Sequence, residues 1–259
     1  MKQHTVKQSA ALKIRLDKLL VERGLAASRE RAQALILAGR VLVQEQKIEK
    51  AGASVSSDSV LRLLGADLRY VSRGGLKLEH ALGHWGIDLA GRVCLDIGAS
   101  TGGFVDCMLQ HGAHQVIAVD TGRGQIASKL RPENQPRVRL MENFNARFLQ
   151  AEDIPEAVDF LSMDVSFISA TLVLPAVLKA VRASLREAVV LVKPQFEVGR
   201  EAVGKGGIVR SEEAQRFAVN RVRQSITELG AITIDIIDSP ILGGEGNREF
   251  LLYARFSKS

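Results

Sequence analysis

The sequence predicts an α/β protein: a doubly wound, mostly parallel sheet with an antiparallel edge strand, preceded by a small α+β module. Three observations carry this. From Arg92 onward, short apolar runs alternate with helical patterns, the rhythm of βαβ units. The segment before it has another pattern, two short amphipathic stretches and a small hairpin. The charge divides in the same place: residues 1–80 hold 15 Lys/Arg against 8 Asp/Glu, and the rest of the chain holds 20 against 21. The N-terminal surplus reads as a contact surface for a polyanion. The boundaries implied are a module over 1–60, ordered from about residue 14, a linker over 61–75, and a domain over 76–259.

In the module, Leu16, Leu19, Leu20 and Leu25 mark a short helix and the turn after it. Ser28 is a suitable N-cap for the next helix, with Ala32, Leu35 and Ile36 as its buried stripe and Gly39 past its end. Val41 and Val43 then alternate as a strand that turns through "QEQK" into a second short one. Arg15, Lys18, Arg23, Arg29, Arg31 and Arg40 fall on the outward positions, an arrangement suited to an RNA backbone.

In the domain, "LKLEHALGHW" is helical after the breaker pair Gly74-Gly75. "VCLDIG" is a strand and "GFVDCMLQHG" a helix closed by Gly112. "QVIAVD", "VRLME" and "VDFLSMD" are strands. "ISATLVLPAVLKAVRASL" is a helix started or kinked at Pro175, and "EAVVLVK" is the fifth strand. "SEEAQRFAVNRVRQSITELG" is a helix capped by Ser211 and stopped by Gly230. "AITIDIIDS" and "REFLLYARF", joined by a turn at "GGEG", close the sheet.

Composition narrows the class. At 259 residues, 46% hydrophobic and 25% charged, the chain has the balance of a soluble globular protein with a sizeable core. Its two cysteines, Cys94 and Cys107, form no C-x-x-C or metal spacing, and the five histidines show no ligand spacing, so no metal is expected. "MKQHTVKQSA" contains no apolar signal-peptide core. The run 171–181 is broken by Pro175 and Lys179, far short of a membrane span. A reduced, cytoplasmic setting without membrane insertion is the expectation.

"LDIGASTGGF" follows the first domain strand and opens a helix. Its glycines let the backbone approach a ligand at the carboxyl end of a strand. Asp120 ends the second strand, where a carboxylate can take ribose hydroxyls. The glycine pattern is G-x-x-x-G-G rather than the dinucleotide G-x-G-x-x-G. Asp96, just before the loop, can order the loop and the amino-acid end of a ligand. Both details favour S-adenosylmethionine over a nicotinamide. "GREAVGKG" imitates a nucleotide-binding P-loop, but Gly206 stands where a magnesium-holding Ser/Thr is needed. It reads as a flexible glycine-rich loop near the substrate.

One position asks for an explanation. Ala188 to Val192 has the pattern of a strand buried on both faces, yet it ends on Lys193, followed by Pro194 and a non-helical exit. Asp164 likewise ends an apolar strand. Both charges fall at the sheet edge where open α/β folds bind ligands.

"RLDKLL…G…SR..A..LI..G.V.V", from Arg15 to Val43, resembles the alpha-L RNA-binding module. The domain resembles the FtsJ-like Rossmann methyltransferases. Together, through "YVSRGGLKL", "CLDIGASTGGF", "MDVSFIS", "LVKPQFEVG" and "GNREFLLY", residues 15–255 resemble the hemolysin A (TlyA) family of ribosomal RNA cytidine 2′-O-methyltransferases. The resemblance implies S-adenosylmethionine as cofactor, held by Asp96, Gly98, Ser100, Gly102, Gly103, Phe104, Asp120, Asn145 and Asp164. It implies ribosomal RNA or assembled subunits as partner. It also implies a Lys-Asp-Lys-Glu catalytic tetrad at Lys77, Asp164, Lys193 and Glu249. Lys193 at its centre could stabilise charge on the ribose oxygen as an ammonium or accept the hydroxyl proton; the sequence leaves both open.

Three other functions compete: a membrane-lytic protein, an RNA-binding protein without catalysis, and a nicotinamide-dependent dehydrogenase. The absent signal and spanning segments weigh against the first. The missing third glycine position and the tetrad weigh against the third. Neither cysteine follows a proline and no "NPPY"-type loop is present, which favours ribose over base as the methylated group.

Overall fold

The computed structural model describes residues 13–26, 28–64, 69–243 and 246–257. The chain divides into two compact units between residues 67 and 68.

The first unit runs β1 (Lys13–Arg15), α1 (Leu16–Glu22), α2 (Arg29–Leu37), β2 (Val41–Val43), β3 (Gln46–Lys47), β4 (Ser54–Ser56) and β5 (Leu61–Leu63). β1 pairs antiparallel with β4, and β2 lies between β3 and β5. Its core gathers Leu16, Leu20, Ala32, Leu35, Ile36 and Val41. Ser28 caps α2 by accepting from the Arg31 backbone N–H at 3.2 Å. Val41 and Val43 alternate onto the core as expected, and Leu42 between them is buried as well. The turn is also tighter than "QEQK". Gln44 and Glu45 both have positive φ, 49° and 63°, the twist of a two-residue hairpin, so Gln46–Lys47 is already the return strand. Leu61–Leu63, expected in the linker, is instead a strand paired with β2. Residues 65–68 of that linker, and residues 1–12, lie outside the described residues.

The second unit runs α3 (Gly74–Trp85), β6 (Val93–Ile97), α4 (Gly103–Gln110), β7 (Gln115–Val119), β8 (Val138–Met141), β9 (Phe160–Met163), α5 (Leu174–Val181), β10 (Glu187–Val192), α6 (Pro194–Glu197), α7 (Glu212–Glu228), β11 (Ala231–Asp238) and β12 (Phe250–Phe256). Among the described residues the sheet has seven strands in the order β11-β12-β10-β9-β6-β7-β8. β6 to β10 are parallel. β12 is antiparallel to both neighbours and is inserted between β10 and β11, so the reversed strand lies one in from the edge. Of the "GGEG" turn that joins the pair, residues 244–245 lie outside the described residues.

Side-chain alternation divides the interior into two layers. Leu95, Ile97, Val190 and Val192 pack on the face covered by α5 and α7. Cys94, Val189, Leu191 and Leu251 pack on the face covered by α3 and α4. Ser211 caps α7 through the Ala214 N–H at 3.2 Å. Lys193 is extended, as a residue before proline should be, but the exit is not wholly non-helical: Pro194 opens the single turn of α6.

Candidate active site

The same alternation places the charged residues. On β10, Val189 and Leu191 face α3 and α4, and Lys193 continues that parity past the strand end. Glu249 is in phase with Leu251 and Tyr253 just before β12. Asp164 is in phase with Phe160 and Ser162 at the end of β9. All three therefore emerge on the side that carries Lys77 in α3.

They form two ion pairs. Lys77 Nζ meets Glu249 Oε2, both side chains nearly closed to solvent. Lys193 Nζ lies 2.5 Å from Asp164 Oδ1 and donates to Ser166 Oγ at 2.8 Å. Asp164 Oδ1 is buried, and Lys193 is the cation it faces. Desolvated charges of this kind persist because each is matched; removing one strands its partner. Lys77, Asp164 and Lys193 line one cavity of about 290 Å³ with Gly98, Gly103 and Phe104. Lys193 and Glu249 line a neighbouring one of about 380 Å³ with Phe167 and Phe196.

A third cavity, about 420 Å³, shares Gly98, Ser100, Asp164 and Ser166 with the first, and Asp120 and Asn145 border it. Asp120 accepts from the Ser100 N–H at 2.7 Å and the Gly122 N–H at 2.6 Å, which fixes its carboxylate at the end of β7. Val119, Phe144, Val165, Ile168 and Val173 supply apolar walls. An apolar-walled cavity with a carboxylate and an amide among its lining residues suits a nucleoside. Gly98 must remain glycine here, with φ at +87° and room for a Cβ only 2.3 Å from the Asp164 carbonyl oxygen. The donor set fits the chemistry of S-adenosylmethionine: a carboxylate and an amide for ribose and base, Asp120 and Asn145, among apolar walls.

Two residues expected to touch the cofactor border none of these cavities. Asp96 is 1% exposed, because β6 alternation turns it beneath α4, away from Leu95 and Ile97. Its Oδ1 accepts from Ser162 Oγ at 2.6 Å, and its Oδ2 is buried without a hydrogen-bond partner among the described residues. Burial pushes its carboxyl up to about 7; the Ser162 hydrogen bond opposes this, while Asp164 and Asp120 add to it. Gly102 caps α4 with φ at +92°, a left-handed conformation that favours glycine, so its role is in the backbone turn. Conversely, sequence reasoning missed Ser166 and Phe167. Phe167 is 93% exposed and has φ of 64°, unusual for a bulky side chain and typical of residues held for function. The "DVSF" run that supplied Asp164 contained both.

The "GREAVGKG" stretch is near the substrate side but is not loosely held. Asn247, two residues before Glu249, accepts from the Val209 N–H at 3.0 Å and donates to the Gly207 carbonyl at 2.8 Å.

In the first unit, the candidate RNA-contacting residues are half-committed to internal partners. Arg15 grips Asp17 through Nε at 3.0 Å and Nη2 at 2.8 Å, and Arg29 reaches the same carboxylate at 3.2 Å. Gln33 adds a hydrogen bond of 2.9 Å. Covered by these groups, Asp17 has no exposed surface, and its carboxyl is held well below the usual range, chiefly by the Arg15 hydrogen bonds. Arg15 and Arg29 remain about half exposed. Arg23 donates to the Ser57 and Ser59 carbonyls, Lys18 pairs with Glu22 at 3.7 Å, and Arg40 donates to the Leu64 carbonyl at 2.9 Å. Arg31, on the first turn of α2, has an interaction partner of its own.

A parallel sheet with one reversed strand inserted near its edge, carrying an apolar-walled cavity beside paired lysines and carboxylates, defines a Rossmann-like methyltransferase. The chain belongs to the FtsJ-like methyltransferase family, which residues 70–256 match; residues 14–61 match the S4 domain. It is 44% identical to the 16S/23S rRNA (cytidine-2′-O)-methyltransferase TlyA of Mycobacterium tuberculosis, over 95% of this chain and 91% of that protein. It is 39% identical to hemolysin A of Brachyspira hyodysenteriae, over 93% and 99%. A solved structure of a Streptococcus thermophilus protein named as a hemolysin superposes with a TM-score of 0.70 at 41% identity, covering 97% of this chain and 90% of that one. Among the described residues no helix is long and apolar enough to cross a membrane, and no cluster of three or more His, Cys, Asp or Glu could hold a metal.

Proposed function

We propose that this protein transfers the methyl group of S-adenosylmethionine to a ribose 2′-hydroxyl of ribosomal RNA in the cytoplasm. The observation that carries this reading is the meeting of Lys77, Asp164, Lys193 and Glu249 at the ligand edge of the sheet, beside the cavity bordered by Asp120 and Asn145. When bound, S-adenosylmethionine supplies a methyl already activated by its sulfonium. The chain must then align the ribose oxygen and stabilise the charge that grows on it. Lys193 Nζ does this as an ammonium, fixed in place by Asp164 and Ser166. The Lys77–Glu249 pair holds the adjoining wall. Phe167 offers a face on which a splayed base can stack. Arg15, Lys18, Arg23, Arg29, Arg31 and Arg40 contact backbone phosphates; the S4 match supports that assignment, and the name of the Mycobacterium relative supports ribosomal RNA as substrate.

The test is transfer of tritiated methyl from S-adenosylmethionine to ribosomal RNA, with the modified nucleotide mapped. Lys193→Ala is expected to lower kcat by roughly 10²–10³-fold, the cost of losing one oxyanion donor. Its affinity for S-adenosylhomocysteine is expected to stay unchanged. Lys193→Arg keeps the cation and should retain part of the rate with a flat pH profile; complete loss would favour proton acceptance. The names of the hemolysin relatives motivate one control: dye leakage from liposomes without methyl incorporation into RNA would replace this reading with a lytic one.

A further inference from the structure

Residues 199–210, "GREAVGKGGIVR", form a built loop that the tetrad and the cofactor cavity leave without a role. Two short turns, Arg200–Ala202 and Lys205–Gly207, are tied by the Gly204 N–H to the Ile208 carbonyl at 3.0 Å. Asn247, 1% exposed, clamps Gly207 and Val209 through both ends of its amide. Gln215 donates to the Val209 carbonyl at 2.8 Å. The peptide that presents Glu249 therefore also sets the position of the loop. Val203 and Gly207 form a wall of the cavity that contains Lys193, Glu249 and Phe167.

The loop carries three exposed cations, Arg200, Lys205 and Arg210, against one carboxylate, Glu201. Among the described residues none of the three cations has a hydrogen bond or ion pair, in contrast to the arginines of the first unit. Cations left uncompensated on a fixed loop beside a reaction centre suit a polyanion that arrives from outside. A loop ordered in advance also spares the entropy of ordering it on binding.

We propose that this loop is a second RNA-binding element, on the methyltransferase unit itself, in which Arg200, Lys205 and Arg210 take the backbone phosphates flanking the target ribose. Asn247 is the positioning residue that keeps it in register with Glu249. The inference rests on the reading of the protein as an RNA 2′-O-methyltransferase. It adds a function for the loop: phosphate contacts there fix which ribose faces Lys193, while the first unit supplies affinity at a distance in the chain.

The experiment uses the full chain with Arg200→Gln, Lys205→Gln and Arg210→Gln, singly and together. Binding of transcribed 16S and 23S ribosomal RNA is followed by filter retention across a salt series, beside methyl transfer under the same conditions. The slope of log K against log salt is expected to fall by roughly one for each cation removed. KM for RNA should rise while kcat and S-adenosylhomocysteine affinity hold. Glu201→Gln should act with the opposite sign and tighten binding. A triple variant with the wild-type slope and KM overturns the proposal. Wild-type protein that binds RNA but transfers no methyl overturns the broader reading instead, and the binding slopes still decide the role of the loop.

Discussion

Asp96 shows how one buried carboxyl makes the fold sensitive to pH. In the unfolded chain it titrates at about 3.9; folded, burial pushes it up to about 7. A raised acid contributes stability that is fully present below the unfolded value and is lost as pH rises through the folded one. Asp96 should therefore make the second unit less stable as pH climbs from about 4 to about 7. At about 1.4 kcal/mol for each of the roughly three pH units between the two values, the loss is on the order of 4 kcal/mol. Urea unfolding of Asp96→Asn at several pH values should show this component flattened, since the amide can still accept from Ser162 but carries no charge. A wild-type and variant difference that is constant with pH would contradict it. The position is legible in the sequence as a carboxylate before the glycine loop. The direction of its side chain is set by alternation with Leu95 and Ile97, and a reading that aims it at the ligand overlooks this.

Local elements are most legible where their determinants lie within a turn of one another. Ser28 and Ser211 each satisfy a backbone N–H three residues on, so the sequence alone exposes them. Asp17 is the opposite case. Its partners Arg29 and Gln33 lie 12 and 16 residues away, and their convergence depends on how α1 packs against α2. Because its carboxyl is held low, this cluster contributes full stability above the ordinary carboxylate range, and that contribution is lost as pH falls below that range toward the depressed folded value. In Asp17→Asn, hydrogen exchange over α1 and α2 should accelerate at neutral pH, and the difference from wild type should vanish in acid. Asn247 is a second long-range tie. Asn247→Ala leaves the Val209 N–H and the Gly207 carbonyl without partners and should cost about 1–3 kcal/mol. The same variant should raise exchange over 204–209 and KM for RNA, with S-adenosylhomocysteine binding intact; an unchanged KM would show that the position of the loop does not matter to substrate.

At the scale of the whole molecule, charge and chemistry are divided between the units. The basic surplus belongs to residues 1–80, while the remainder is nearly neutral. Raising salt from 50 to 200 mM should weaken RNA binding steeply and leave cofactor binding almost unaffected, because only the first depends on many phosphate contacts. Ligand linkage gives the complementary check. S-adenosylhomocysteine at a hundred times its Kd should stabilise the protein by about 2.7 kcal/mol, seen as a higher Tm. NAD should leave Tm where it is, and the reverse pattern would contradict the cofactor assignment.

The sequence by itself showed the change from a basic N-terminal module to an α/β domain, the order of its main strands and helices, the glycine loop, and Asp164 and Lys193 at strand ends. All of these depend on periodicity, capping and turn chemistry, which act within a few residues. Lys77 and Glu249 were singled out only by the family resemblance. Only the tertiary structure decided the pairing, Lys77 with Glu249 across 172 residues and Lys193 with Asp164, and the insertion of β12 beside β10. It also decided that Asn247 clamps the loop and that Asp17 gathers two arginines. Such contacts depend on which strand lies next to which and which face a helix covers, and no local pattern encodes that.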